Sequence, residues 1–165
     1  MALTVTPVYG SSAALTITLA SLASDVNLAA GRAATAIANT TDLAVDSVVG
    51  GKVTTGTSPT AAKQIQIWLF GSYDGTSYAG GATGTDANLT PQGSATSLFA
   101  FLLSIPTTAT SNQTYTWGPF SVAQGFGGTM PKNWGIFVVH NTGVALNATA
   151  GNHEVKYTPV KYISQ

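Results

Sequence analysis

The chain has 165 residues, 44% of them hydrophobic and only 7% charged, and its six basic and six acidic residues cancel to a formal net charge of zero. This length predicts one domain with a sizeable core, and the thin, scattered positive charge argues against direct nucleic-acid binding, which needs clustered Lys and Arg to displace counterions. There is no cysteine, hence no disulfide or thiolate metal site; no apolar run approaches the ~20 residues of a membrane helix, so no membrane partner is expected.

Charged residues average about a quarter of a globular chain. This surface must therefore expose Thr, Ser, Asn, Gly and Ala, which lose little on desolvation and suit burial against neighbouring subunits. The opening MALTVTPVYG lacks the basic segment of a secretory signal, so synthesis and folding in the cytoplasm are expected.

In chain order, residues 1–14 read as an N-terminal arm, because Pro7, Gly10, Ser11 and Ser12 interrupt regular pairing. Residues 15–165 read as a single β-sandwich domain. Leu15–Leu19 alternates strictly and predicts a half-buried strand. Ala33–Ala38 alternates weakly and ends in the turn Asn39-Thr40-Thr41-Asp42. Leu43–Val49 predicts a strand that stops at Gly50-Gly51, with Lys52–Thr55 continuing it after a bulge. Gln64–Phe70 is the strongest strand, with Ile65, Ile67 and Leu69 on one face and Trp68 and Phe70 on the other. Tyr73-Asp74-Gly75-Thr76 is a turn, and 80–97 is a long loop rich in Gly, Thr, Asn and Ser, able to reach a neighbour.

Leu98–Ile105 is a continuous apolar run consistent with a strand buried on both faces. Thr114–Trp117 is a strand broken by Gly118-Pro119, and Val122–Met130 a short helical turn or loop. Gly135–His140 and His153–Thr158 are further strands, the last with Val155 and Tyr157 on one face. About eight strands without a clear helix predict an all-β antiparallel sandwich, a jelly roll. An immunoglobulin- or fibronectin-like sandwich is the alternative.

The chemistry is sparse. Asp25, Asp42, Asp46, Asp74, Asp86, Glu154, His140 and His153 are all the carboxylates and imidazoles in the chain. The spacing of His140 and His153 matches no metal motif, and most of the aspartates stand in turn contexts where they bind backbone. No G-x-S-x-G elbow or phosphate loop is present. No enzyme, no cofactor and no metal are expected. Trp68, Trp117 and Trp134 read as core; Tyr73 and Tyr78, beside a loop, are the candidates for a contact surface.

The segments Lys63–Gly75, Trp117-Gly118-Pro119-Phe120, Met130–Gly143 and Gly151–Val160, taken together, resemble a family of small virion proteins of tailed bacteriophages, over about Leu15 to Val160. The resemblance implies a jelly-roll capsid cement or decoration protein. Its partners would be the major capsid protein and further copies of itself, as dimer or trimer, and its place the exterior of the capsid in the virion. It carries over no catalytic residue. The alternatives are a carbohydrate-binding or adhesion module displayed on the particle, which requires exposed coplanar aromatics on one sheet face, and a tail or head-fibre component.

Overall fold

A computed structural model of the chain describes residues 5–93 and 95–164, with the side chain of Thr96 left aside. The strands are β1 (Val5–Tyr9), β2 (Ala13–Ala14), β3 (Gly31–Ala33), β4 (Ile37–Ala38), β5 (Asp46–Thr54), β6 (Lys63–Ser72), β7 (Ala87–Leu89), β8 (Ala100–Thr107), β9 (Thr114–Ser121), β10 (Asn133–His140) and β11 (Glu154–Ser164). Two single-turn helices, α1 (Ala95–Leu98) and α2 (Val122–Gly125), lie between them. Two antiparallel sheets pack face to face. One has the order β1-β11-β5-β9, with β2 also on β11; the other has the order β7-β3-β10-β6-β8, with β4 also on β10.

The pairing has the plan of one long hairpin rolled up. With β2, β4 and β7 set aside, the eight remaining strands pair first with last (β1·β11), second with seventh (β3·β10), third with sixth (β5·β9) and fourth with fifth (β6·β8). That is the jelly roll, and it separates this sandwich from the immunoglobulin order.

Alternation decides what is buried. Ile65, Ile67 and Leu69 of β6 meet Trp134, Ile136 and Val138 of β10 and Val49, Val53 and Val155 of the facing sheet in the main core. The opposite face of β6 and β10 is also buried. Trp68, Phe70, Phe137 and Val139 form a second cluster with Ala82, Ala95 and Phe99 from the segment after β6. That segment, read as a loop free to reach a neighbour, instead lies on the outside of its own sheet, with Ser94 outside the described residues. Gly31 is a point of close approach: a Cβ there would come within 2.2 Å of the Val138 carbonyl oxygen, so β3 can sit on β10 only with no side chain at that place.

Four expectations are corrected. Leu15–Leu19 buries Leu15 and Leu19 as its alternation predicts but joins no ladder; the Thr18 N–H donates to the Asp86 carboxylate at 3.1 Å rather than to a strand. β8 is a sheet edge, not a strand buried on both faces, and leaves Phe101 half exposed. β9 runs on through a cis Gly118–Pro119 bond to Ser121 rather than breaking there. The strand predicted from Leu43 starts at Asp46, after Leu43 in a left-handed conformation with φ 47°.

Of the predicted arm, residues 1–4 lie outside the described residues. Val5–Tyr9 pairs along the end of β11, from Val5 opposite Ser164 to Tyr9 opposite Val160. No helix among the described residues is long and apolar enough to cross a membrane.

Candidate functional site

The two tyrosines singled out by sequence have different surroundings. The turn between them is organised by Asp74, whose carboxylate accepts from the N–H of Ser77 at 2.7 Å and of Thr76 at 2.8 Å, and from the hydroxyls of Ser77 at 2.7 Å and Ser72 at 2.9 Å. These donors, the Ser77 N–H foremost, hold its carboxyl far below the usual range. Tyr73 stands out from this rigid turn, 84% exposed. Tyr78 folds back: its ring meets Phe70 edge to face at 6.0 Å and its hydroxyl accepts from Asn133 Nδ2 at 2.9 Å. Tyr73 is a surface residue, whereas Tyr78 fastens the turn to β10.

The carboxylates and imidazoles are each engaged locally. Asp25 accepts from the N–H groups of Ala30, Ala29 and Asn27 and closes its own loop, which lowers its pKa, Ala30 contributing most. Asp42 bonds Lys161 at 2.5 Å, and Glu154 pairs with Lys156. Asp46 Oδ1 accepts from Ser47 N and from Ala123 N at the start of α2. His140 is buried at the end of β10, with Nε2 3.0 Å from the Leu22 carbonyl. His153 Nε2 faces the Asn147 carbonyl at 2.8 Å. Burial lowers the pKa of both rings. Among the described residues no group of three or more His, Cys, Asp or Glu is placed to hold a metal.

A cleft of about 690 Å³ lies between the 18–25 segment and β3–β7. The cation on its wall is Arg32, which is already committed. Its Nε donates to Asp86 Oδ1 at 2.5 Å, Nη2 to the Asp86 carbonyl at 3.1 Å and Nη1 to Asn88 Oδ1 at 3.1 Å.

The three tryptophans are buried, as sequence predicted. The ring pairs are tilted or edge to face, with interplanar angles from 42° to 90°.

What stands out on the surface is apolar. Val5, Tyr9, Leu43, Val45, Tyr162 and Ile163 are six of the eleven exposed large hydrophobic side chains described, and all lie on β1, the end of β11 or the 42–45 segment beside it, where Val45 N donates to the Val160 carbonyl. Sequence reasoning passed over them because Pro7 and Gly10 suggested an unpaired arm. The signal was the alternation in Val5-Thr6-Pro7-Val8-Tyr9 and its partner in Val160-Lys161-Tyr162.

Comparison of the chain with models of protein families, with curated proteins and with solved structures gave no match.

Proposed function

We propose that this chain is a structural protein of a phage particle, a cement or decoration piece that binds the outside of the major capsid protein shell and ties neighbouring capsomers together. The observation that carries the reading is the surface. It holds six cations and six anions in 165 residues, several of them paired or bound to backbone within the chain, while large apolar side chains stand exposed together at β1 and the end of β11.

A surface of this kind sheds water at little cost and suffers little repulsion between closely spaced copies. Each copy adds modest contact area, and many copies acting together stabilise a shell by avidity. The rigid jelly roll supports this use, since every long strand is tied into a two-sheet core and loops are held by their own hydrogen bonds.

Cosedimentation with empty shells that lack the protein is the test. Saturation at a fixed stoichiometry, with a rise in shell melting temperature, is the expected result. A chain left in the supernatant at every concentration would sink the proposal and turn attention to Tyr73 and a glycan array.

A further inference from the structure

β7 is the last strand of its sheet, and at that edge the space between the sheets is lined by polar groups. Arg32 stands opposite Val138 on one side and Asn88 on the other. Residues opposite in a ladder share a face, and Val138 belongs to the core between the sheets, so Arg32 and Asn88 lie on the inner face of β3 and β7. The 18–25 segment faces them across the cleft of about 690 Å³, a volume within the usual range of small-molecule sites.

The polar groups there are fixed in place and only partly used. A guanidinium carries five N–H donors. Arg32 directs three of them, to Asp86 Oδ1, the Asp86 carbonyl and Asn88 Oδ1, and the others have no partner among the described residues. Because Arg32 only donates, Asn88 turns its oxygen to it, which leaves the Nδ2 amino group without a partner among the described residues. The hydroxyls of Ser21 and Thr90, which line the same cleft, also lack one there. Ser21 is held with φ at 57° while its N–H is tied to the Asn147 carbonyl. A left-handed residue with a side chain carries a backbone cost of the kind that gathers at binding sites.

Charge narrows the ligand. Two carboxylates, Asp25 and Asp86, outnumber the one guanidinium of Arg32, which disfavours an anion. Both carboxylates are taken by donors, Asp25 by the N–H groups of Asn27, Ala29 and Ala30 and Asp86 by Thr18 and Arg32, so neither is open to a cation. What remains is N–H donors and hydroxyls beside the methyl groups of Ala20 and Ala30. That set complements a neutral molecule bearing many oxygens on a frame of C–H groups.

We propose that this cleft binds a short neutral saccharide, with Arg32 and Asn88 donating to its oxygens from one wall and Ser21 and Thr90 bonding its hydroxyls. Recognition is by hydrogen bonds in a cleft rather than by rings stacked on a sheet face, so it requires no exposed aromatic platform. The β3–β7 ladder and Asp86 hold the donors before a ligand arrives, which lowers the ordering cost of binding. The cleft shares no residue with the exposed apolar strip at β1 and the end of β11, so binding here does not depend on the capsid reading.

An array of neutral hexose and N-acetylhexosamine glycans, probed with the full chain, should pick out a saccharide. Titrating that saccharide into the isotope-labelled chain should shift the amides of 20–25, 31–32 and 88–90 saturably at millimolar concentrations. Asn88→Asp keeps an oxygen for Arg32 but puts an acceptor where the amino group was, and should weaken binding at least tenfold with an unchanged circular dichroism spectrum. Thr90→Val serves as the second variant should Asn88→Asp not fold, and Tyr73→Ala, outside the cleft, should bind as the parent does. An array without a hit, shifts centred elsewhere, or binding indifferent to the folded variants overturns the site. Saturation of the cleft by inorganic phosphate or a neutral tripeptide in place of every saccharide overturns the ligand. A chain that binds the saccharide and ignores shells sinks the capsid proposal alone; one that saturates shells and binds no saccharide sinks the cleft proposal alone.

Discussion

His140 Nδ1 lies 2.9 Å from Thr142 Oγ1 in a fully buried site, and the same hydroxyl is 3.0 Å from the Val144 carbonyl. With Nε2 donating to the Leu22 carbonyl, a neutral imidazole leaves one hydroxyl proton to serve two acceptors. Protonation at Nδ1 would give every link a proton, yet burial opposes the charge and lowers the His140 pKa, and the nearby His153 opposes it further.

The pH dependence follows. Both histidines titrate lower in the folded chain than their ordinary 6.5. Below about pH 6.5 the unfolded chain therefore binds more protons than the folded one, and stability falls as pH falls from there through the folded pKa values. Melting temperatures between pH 7.5 and 5 should decline, and His153→Gln should flatten part of the slope. A profile without slope across that range would contradict the assignment.

Phe99 tests the covering of the outer sheet face. Its ring lies 5.9 Å from Phe70 and 5.4 Å from Phe137, and it closes the segment that returns from β6 to β8. Phe99→Ala removes a buried ring and leaves a cavity, a change that costs about 3–5 kcal/mol in protein cores. The β7 ladder and the Arg32–Asp86 pair still hold the middle of the segment, so limited proteolysis should cut between β7 and β8, beside Phe99, before any other region. Global loss of stability with no preferred cleavage there would mean the segment is not a separable cover.

These two cases mark what was legible in the sequence. β6 and β11 were readable because alternation in Gln64–Phe70 and His153–Thr158 is set by core burial, a local pattern with a fixed period, and β10 because Gly135–His140 is a short run of β-branched and aromatic residues bounded by turn residues. Trp68 and Phe70 on the second face of β6 hinted that this face is covered too, but nothing local said by what. The answer depends on Phe99, 29 residues beyond Phe70, and on a segment whose Gly and Thr content reads as loop. β1 was hidden for a related reason. Its partner is the far end of the chain, and Pro7 is tolerated because β1 is an edge strand, with a backbone side that needs no donor. Leu15–Leu19 shows the converse: alternation fixed burial, while a side-chain acceptor on Asp86 took the place of a neighbouring strand.

Arg32 is the next test, since it ties β3 to the segment bearing Asp86. Desolvation raises the Asp86 pKa, but the Arg32 guanidinium and the Thr18 hydroxyl and N–H outweigh it and hold the carboxyl below its ordinary value. Arg32→Ala leaves a partly buried carboxylate with Thr18 alone. A loss of about 1–3 kcal/mol is expected, or roughly 2–4 °C in melting temperature per kcal/mol at this size. Arg32→Lys should recover only part of it, because an ammonium cannot reach Asp86 and Asn88 in a fork. The loss should begin to shrink as pH falls below about 4, where the unfolded carboxylate takes up its proton first, and should continue to shrink as pH falls through the depressed pKa of the folded chain. Chemical denaturation of the two variants at pH 7 and pH 3 reads both effects.

Tyr73 and Tyr78 make the sharpest contrast on one turn. The Tyr78 hydroxyl meets Asn133 Nδ2, and its ring packs on Phe70. Tyr78→Phe keeps the ring and removes the hydroxyl, so it should cost about 0.5–1.5 kcal/mol, the net worth of the bond from Asn133, with the 3.4 Å bond to the Gly75 carbonyl adding little. Tyr73→Ala removes a side chain that is almost wholly in water, so unfolding free energy should change by less than about 0.5 kcal/mol. The turn itself should survive both changes, because Asp74 organises it through Ser72, Thr76 and Ser77 without either ring. Tyr73→Ala is therefore the clean probe of a contact at this end of the sandwich: in the shell cosedimentation assay, weaker binding by a variant of unchanged stability places the turn in the contact, and unchanged binding removes it. Asp74→Ala should behave differently from both, lowering stability and loosening Tyr73 together, and a stable Asp74→Ala protein would show that the turn is held by something other than its carboxylate.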